Sequence, residues 1–446
     1  MAAGGPAGQE VEQIAEHPVS MDHLSEVAAR IDASREALIE DLAALVRIPT
    51  VVGHEGPGQA WIAERFRALG LETRLLPVDF EAVRHHRAYC GWKADAAAYE
   101  GRPNVVGVLP GDPGARSLIL NGHMDVVSAE PESQWTHGPW NPTVVDGRMY
   151  GRGANDMKAG LVANYFALRA ILDAGVRPRG TVQLHSTIEE EAGGGGGALA
   201  LLLAGYTADG FIATEPCAHR IRTGNGGIMY FRVRVEGKTA HAGNAHLGVN
   251  AALKAAPILL ALGRLDEARA RRHEGSPFAD GSRGRACHLS VGSVRAGDWP
   301  STVAGRAEIE ARVGYLPGET REDVRAEIER ACRDAVADDP WMREHPPAIE
   351  WFGWDAEPWQ EDEHHPFITT LREAGRDVLE RPIETFGRTS GVDSRFAHYF
   401  GFPGVCWGHR GDNNHGVDEW TDLDSVLQST KVVALMIMKW CGVVPV

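Results

Sequence analysis

The chain has 446 residues, with 45 lysines and arginines against 61 aspartates and glutamates, so its formal net charge is −16. With 43% hydrophobic and 24% charged residues, the composition excludes a disordered protein, and the length suffices for about two or three domains. The acidic balance and the lack of a block rich in lysine and arginine argue against nucleic acid or an anionic membrane as partner, and favour a small molecule.

The predicted location is the cytoplasm. No window approaches the roughly 18 consecutive apolar residues of a membrane span, and the N-terminus has no basic stretch followed by an apolar core. The six cysteines include no C-x-x-C pair, so we expect ordinary reduced and packed thiols.

The first part of the chain predicts an α/β domain. Residues 1–20 show no helical stripe and are expected to be a mobile tail, whereas apolar spacing over 21–46 predicts a helix pair or one long helix. Strand and helix patterns then alternate up to residue 223, which predicts a largely parallel sheet covered on both faces. The strands are expected at 104–111, 117–125, 181–188 and 210–216, and the helices at about 157–174 and 197–205.

The order of predicted secondary-structure elements changes over residues 224–355, where it becomes strand, helix, strand, strand, helix, strand. This is the β-α-β-β-α-β order of a ferredoxin-like unit, which predicts a separate inserted domain. Residues 356–446 return to the earlier pattern and are expected to complete the first domain's sheet.

Polar side chains stand at the predicted strand ends. His123 and Asp125 are two residues apart on an extended chain, so both can face one site, where a carboxylate can fix the tautomer of an imidazole metal ligand. A buried histidine with a satisfied partner is the alternative. Asp156 lies in the glycine-rich segment 151–160 at the start of a helix, where it could instead be a helix cap.

Three glutamates, at 189–191, follow an apolar strand and precede five glycines. A run of carboxylates is usually a solvated loop, but this one stands at the rim where α/β sheets hold ligands. Because crowded carboxylates resist ionisation, a cation among them is a simple compensation. Further candidates follow two other predicted strands, namely Glu215, His409, His415 and Glu419.

Two imidazoles and three carboxylates at strand ends form the ligand inventory of a dinuclear zinc site, in which one carboxylate bridges two ions about 3.5–4 Å apart. The candidate ligands are His123, Asp156, Glu191, Glu215 and His415.

Several long motifs in order resemble the zinc hydrolase family of aminoacylase, acetylornithine deacetylase, succinyl-diaminopimelate desuccinylase and the glutamate-releasing carboxypeptidases. The resemblance extends over nearly the whole chain, from about residue 23 to 440. The motifs are GHMDVV (122–127), Trp135 with GPWNPTVVDGRMYGRGANDMKAG (138–160), EEAGG (190–194), EP (215–216), GKTAHAG (237–243), EARVGYLPGET (310–320), GVDSRFA (391–397) and HGVDEW (415–420).

The resemblance implies that Asp156 bridges two zinc ions per subunit, with cobalt or manganese able to replace zinc. It implies that His123 and Glu215 complete one ion, and that Glu191 and His415 complete the other. Glu190 is implied as the general base and Asp125 as the residue that orients His123. Three successive glutamates leave the register ambiguous, and only the pair at 190 and 191 puts Gly193 at the glycine of the family's E-E-x-G pattern.

By the same resemblance, the inserted unit is a lid and dimerisation domain within a zinc-exopeptidase-like catalytic domain. His241 would reach the partner subunit's site and stabilise the oxyanion, while Arg312 and Asn250 would help to bind substrate. Arg312 could instead be a solvated strand residue, and Asn250 a helix-start residue. The chain departs from many relatives at Asp298, where they have asparagine, which leaves a substrate contact there in doubt.

The implied reaction is hydrolysis of a linear amide. The lid motifs GDWPS and RVGYLPGE look most like the deacetylase and desuccinylase branch, which favours removal of a small acyl group of acetyl, formyl or succinyl type from an amino compound. A dipeptidase or carboxypeptidase of the same family and a non-catalytic metal-binding protein remain alternatives, and a dinuclear phosphoesterase fits the motif order poorly. The long segment 80–102 is either a wall of the substrate pocket or an ordinary surface loop.

Overall fold

The structure is a computed structural model that describes residues 21–90, 95–279 and 285–446. The predicted tail, 1–20, and part of the segment 80–102 lie outside the described residues. The helices are α1 Met21–Ala33, α2 Arg35–Val46, α3 Gly56–Ala68, α4 Phe80–Arg84, α5 Ala159–Asp173, α6 Ala200–Leu203, α7 Ala251–Arg272, α8 Arg321–Asp334, α9 Pro340–Glu344, α10 Pro366–Leu379, α11 Arg395–His398 and α12 Leu423–Cys441.

The strands form four sheets. They are β1 Glu72–Leu76, β2 Asn104–Leu109, β3 Leu118–His123, β4 Thr143–Val145, β5 Arg148–Tyr150, β6 Val176–Pro178, β7 Val182–Thr187, β8 Phe211–Ala213, β9 Ile221–Asn225, β10 Gly227–Glu236, β11 Leu289–Ala296, β12 Arg306–Tyr315, β13 Ala348–Ala356, β14 Trp359–Gln360, β15 Thr385–Arg388, β16 Gly404–Cys406, β17 Gly411–Asp412, β18 Trp420–Asp422 and β19 Val443–Pro445.

The largest sheet has nine strands in the order β1-β2-β7-β3-β8-β16-β9-β14, with β15 paired to β9. Its four central strands, β7, β3, β8 and β16, are parallel to one another, as the alternation of strands and helices predicts. The flanking pairs are antiparallel except that of β15 with β9, so the sheet is mixed rather than largely parallel.

Both faces of this sheet are buried. Leu118 and Leu120 of β3 belong to the large apolar cluster that includes α1, α2, α5, α10 and α12, whereas Ile119 between them belongs to a second cluster with Leu199 and Phe396. Because side chains alternate along a strand, these three neighbours reach opposite layers. The prediction of an α/β sheet covered on both faces is therefore confirmed.

A second sheet has the strand order β11-β12-β10-β13, and all of its pairs are antiparallel. In the chain, β10-α7-β11-β12-α8-β13 follows the predicted β-α-β-β-α-β order. On β10, Phe231 and Val233 pack in a separate apolar cluster with α7 and α8, while Arg232 faces the other side and pairs with Glu310 and Glu350. The exact limits of the inserted domain, 224–355, stay a prediction.

The chain returns to the central sheet after this unit. Strand β16 lies between β8 and β9, so the segment after residue 406 emerges beside the ends of strands that were laid down much earlier in the chain. Among the described residues, no helix is both long and apolar enough to cross a membrane.

Candidate metal centre

The parallel strands gather polar side chains at one edge of the central sheet. His123 ends β3, Glu190 and Glu191 follow β7, and Glu215 follows β8. Because carboxyl ends of parallel strands meet at the same edge, these residues converge there, and the loop after β16 brings His415 to them.

Asp156 lies at the centre of the cluster. Its Oδ1 is 3.2 Å from His123 Nε2, and its Oδ2 is 3.6 Å from His415 Nε2. Glu215 Oε1 is 3.7 Å from the first imidazole, and Glu191 Oε2 is 3.0 Å from the second. The structure therefore brings the five predicted ligands together as two halves that share the Asp156 carboxylate.

Asp125 acts on the site through two groups. Its backbone carbonyl oxygen accepts a hydrogen bond from His123 Nδ1 at 2.8 Å, which leaves Nε2 free to face the cluster. Its carboxylate accepts hydrogen bonds from the backbone N–H groups of Glu190 at 3.2 Å and Glu191 at 3.0 Å. The expected orientation of His123 by Asp125 is thus made by the carbonyl, while the carboxylate, 3.7 Å from Nδ1, holds the glutamate turn.

The backbone separates the three glutamates. Glu189 has φ 65°, and its buried carboxylate turns away to accept a hydrogen bond from the Gly196 N–H at 3.0 Å. Burial raises the pKa of Glu189 to about 7. Glu190 and Glu191 remain on the side of the cluster, with Glu190 Oε2 4.0 Å from His123 Nε2.

Glu419 fixes the loop that carries Asp156. Its carboxylate accepts hydrogen bonds from the N–H groups of Gly153 at 3.1 Å, Asn155 at 3.0 Å and Asp156 at 2.9 Å, and it pairs with Arg152 Nη1 at 2.6 Å. Both side chains of this ion pair are buried. Sequence reasoning noted Glu419 as a candidate but gave it no role, although it stands in the same HGVDEW motif as His415.

Two more residues of this layer were given no role by the sequence. Asn414 Nδ2 donates to Asp156 Oδ2 at 3.1 Å, and His409 Nε2 lies 3.0 Å from the Asn155 carbonyl oxygen. Since a carbonyl only accepts, His409 is a donor to the Asp156 loop. The available signal was that both residues stand in the same short segment as His415.

The charges of the cluster are strongly coupled. Burial raises the pKa values of Glu190 and Glu215 well above the usual range, since neighbouring carboxylates add to the effect. Burial alone would lower the pKa of His123, but the hydrogen bond to Asp156 and the surrounding carboxylates outweigh it and raise that pKa well above its usual value. The hydrogen bonds to Asp156 and Glu191 raise the pKa of His415 to about 10. Cations are therefore favoured at this position.

The donor atoms fit metal ions. Two sets, which share His123, each have one ligand atom per residue within 4.8 Å of the others: one adds Glu190 and Glu215, and the other adds Asp156 and Glu191. Imidazole nitrogen and carboxylate oxygen are ligands that suit Zn²⁺. The cluster opens into a cavity of about 270 Å³ whose lining also includes Arg222, Phe386 and Arg388.

Three other predicted residues lie outside the cluster. The exposed side chain of His241 accepts a hydrogen bond from Gly243 N–H at 3.0 Å. Asn250 caps α7 by accepting from Ala252 N–H at 2.9 Å, which is the helix-start alternative. Arg312 is half-buried, not solvated, and its Nη2 donates to the Thr389 carbonyl oxygen at 2.9 Å.

The described part of the segment 80–102 packs against the run of five glycines at 193–197. A Cβ built at Gly193 or Gly195 would meet Cys90 or Tyr89, respectively, at close range. Arg395 joins the two segments because its Nη2 donates to the Gly193 carbonyl oxygen at 2.9 Å and contacts Cys90 Sγ at 3.3 Å. This part of the segment supports the turn that carries Glu190 and Glu191.

A mixed α/β sheet with two linked imidazole and carboxylate half-sites at its carboxyl edge is the architecture expected of a dinuclear metallohydrolase. The chain belongs to the peptidase family M20/M25/M40, whose profile matches residues 119–439. The predicted family, and the prediction that the chain is a hydrolase, are thereby confirmed.

Two curated relatives align with most of the chain. N-formyl-4-amino-5-aminomethyl-2-methylpyrimidine deformylase of Bacillus subtilis (strain 168) is 30% identical over 367 residues, which cover 77% of this chain and 84% of the relative. The enzyme of the same name from Halalkalibacterium halodurans is 26% identical over 94% of this chain and 97% of its own length. A tripeptidase from Staphylococcus aureus has a TM-score of 0.70 at 23% identity, covering 91% of this chain and 98% of that one, and shows the shared fold.

Proposed function

We propose that the protein removes a small acyl group from an amino compound by metal-dependent hydrolysis of the amide bond. The observation that carries this proposal is the position of Asp156, whose two carboxylate oxygens face different imidazoles. The two relatives named as deformylases, which align with 77% and 94% of this chain, support an acyl amine as substrate, with formyl as the first acyl group to test.

In this proposal, the metal ions are two zinc ions, which cobalt or manganese can replace. His123 and Glu215 would hold one ion, Glu191 and His415 would hold the other, and Asp156 would contribute its carboxylate to both. When bound, the ions lower the pKa of a water molecule and polarise the acyl carbonyl group.

Glu190 is the proposed general base. It lines the cavity beside the ligands, and its backbone is fixed by Asp125. A carboxylate there can take the proton from the attacking water and return it to the leaving nitrogen. Glu190 Oε2 also lies within reach of the first half-site, so the metal content of the Glu190→Gln variant decides between a base and a ligand.

His241 is proposed to act in the site of a partner subunit. Its Nδ1 accepts the Gly243 N–H, so the neutral imidazole carries its proton on Nε2 and presents a donor. An exposed donor of this kind is what a developing oxyanion requires.

The inserted unit is the proposed dimerisation surface. Five large apolar side chains among the described residues of this unit are exposed, and the most exposed are Leu253 at 70%, Trp299 at 67% and Leu260 at 65%. Leu253 and Leu260, seven residues apart on α7, share one face of the helix.

Arg312 is proposed to serve substrate binding through the loop that it holds. Its hydrogen bond to the Thr389 carbonyl oxygen joins β12 of the inserted unit to a loop whose Ser390 and Gly391 line the cavity. For Asn250, the side-chain oxygen is used by the helix cap, so substrate contact is left to its amide nitrogen, Nδ2. A cytoplasmic location stays a prediction, and the six buried, unpaired cysteines are compatible with it.

The test combines metal analysis with a turnover screen of N-formyl, N-acetyl, N-succinyl and N-carbamoyl amines and simple dipeptides, with and without chelator. We expect about two zinc ions per chain and chelator-sensitive release of one acyl type. Turnover of dipeptides alone would contradict acyl removal. Full turnover after complete metal removal would contradict the proposed mechanism.

A further inference from the structure

The inserted unit contains a second group of side chains that can bind a metal ion. His273, Cys287 and Glu319 each offer one ligand atom, and these three atoms lie within 4.8 Å of one another. None of the three residues lines the cavity of the candidate metal centre. An imidazole nitrogen, a thiolate sulfur and a carboxylate oxygen are all ligands that zinc accepts.

Three separate elements position these side chains. His273 follows the last residue of α7, Cys287 lies two residues before β11, and Glu319 lies two residues before α8. Strand β11 is at one edge of the four-stranded sheet. One ion held by the three residues would therefore join the end of α7 to an edge strand and to the start of α8.

The Nε2 atom of His273 is the observation that points to a ligand. This atom is buried, and it has no hydrogen-bond partner among the described residues. Glu319 Oε2 lies 3.3 Å away, but not in a direction that makes a hydrogen bond. Because a buried polar atom without a partner is costly, a cation between the imidazole and the carboxylate would relieve that cost.

The Cys287 thiol is fully buried and packs in a small apolar cluster with Phe278 and Leu316. The thiolate is the form that binds metal, and a bound cation takes the place of the thiol proton. On the other side of the group, Glu319 lines a cavity of about 470 Å³. This cavity gives a metal ion and a water ligand a route to the three side chains.

Two arginines and a second glutamate border the group. Arg269 Nη2 lies 2.9 Å from Glu319, and Arg269 Nη1 lies 2.6 Å from Glu327. Arg272 contacts the same two glutamates, at 3.7 Å and 2.5 Å. The charges of these four side chains cancel, so the Cys287 thiolate would leave a net charge of −1 for the ion. The arginines hold Glu319 in place, as outer-shell partners of a metal ligand do.

We propose that His273, Cys287 and Glu319 bind one divalent zinc ion, with water from the cavity as the fourth ligand. The ion stabilises the inserted unit, and this proposal does not depend on the proposed function. Because two arginines lie beside it, the site binds metal more weakly than the dinuclear centre and fills after it.

Cobalt titration of the chelator-treated protein tests this proposal. A cysteine thiolate bound to Co²⁺ gives a charge-transfer absorption band in the near ultraviolet, which imidazole and carboxylate ligands do not give. The ligands proposed for the dinuclear centre include no cysteine, so the band reports the third ion alone. We expect the wild type to reach the intensity of one cobalt-bound thiolate per chain.

Cys287→Ser should abolish the band. Cys217→Ser is the matched control, because Cys217 lines the cavity of the candidate metal centre, and it should retain the band. The proposal is refuted if the wild type gives no band at saturating cobalt, or if the band survives in Cys287→Ser.

His273→Gln keeps the thiol and tests the geometry of the group. We expect it to raise the cobalt concentration that gives half of the band at least about 10-fold, since even loss of an outer-shell partner weakens metal binding to this extent. His246→Gln removes an exposed histidine of the same unit and should leave that concentration unchanged. Identical titration curves for His273→Gln and the wild type would overturn the three-residue site.

Discussion

The buried pair between Glu419 and Arg152 gives the sharpest test of how the metal centre is positioned. In Glu419→Gln, one carboxylate oxygen becomes an NH₂ group, and each original oxygen accepts hydrogen bonds from N–H donors. Whichever way the amide turns, its NH₂ group faces an N–H donor that the carboxylate oxygen accepted before. The substitution also leaves Arg152 buried without a counter-charge. Breaking a buried pair costs about 3–5 kcal/mol of unfolding free energy.

The assay is urea unfolding of chelator-treated protein, followed by metal titration at a buffered zinc concentration. We expect Glu419→Gln to lose about 3–5 kcal/mol of stability and about 10- to 100-fold in zinc affinity, because Asp156 is held by the same carboxylate. Glu64→Gln is the control, since it removes an exposed pair with Arg67 that is worth about 0–1 kcal/mol.

A second variant separates the unpaired charge from simple loss of packing. Replacing Arg152 by methionine in the Glu419→Gln background removes the buried charge and should recover part of the stability. If Glu419→Gln were as stable as the Glu64→Gln control and bound zinc normally, the three N–H hydrogen bonds and the ion pair of Glu419 would not be what holds the Asp156 loop.

Glu190→Gln should retain about two zinc ions and lose about 10²- to 10⁴-fold in kcat; loss of one ion instead would make Glu190 a ligand. His241→Ala should lower kcat about 10²- to 10³-fold with metal content unchanged, and mixing it with Glu190→Gln should restore activity if His241 acts across a dimer. Burial lowers the pKa of His185 from 6.5 to about 3, so the folded protein favours the neutral imidazole. The stability that depends on neutral His185 is fully present above pH 6.5 and is lost as the pH falls towards 3. Between pH 7.5 and 5, the chelator-treated wild type should therefore lose about 2 kcal/mol more than His185→Leu in urea unfolding, and equal losses would contradict this pKa.

The fold could be predicted largely because its elements carry local patterns. Central strands such as β3 and β7 carry short runs of aliphatic and β-branched residues, and the long helix α12 begins after a residue, Asp422, that caps it. The antiparallel flanks of the sheet could not be predicted in this way. Strand direction depends on long connections, which leave no periodic signal.

The convergence of the candidate ligands could be predicted because most of them stand at or soon after a strand end. Their supporting contacts could not, since Glu419 reaches the Asp156 loop across 263 positions and Asn414 across 258. Which two of the three glutamates face the cluster depends on the backbone at Glu189, because its φ of 65° turns that residue's carboxylate away from the site. The cap formed by Asn250 was foreseen only as an alternative.

The placement of β16 has a consequence for biosynthesis. Because β16 is inserted between β8 and β9, the edge of β8 has no neighbour on that side until the ribosome has made residue 406. Throughout translation of the inserted unit, the nascent chain exposes an apolar strand edge, which invites intermolecular pairing. The proposed half-site of Glu191 and His415 is also incomplete over this period, because His415 is made after β16.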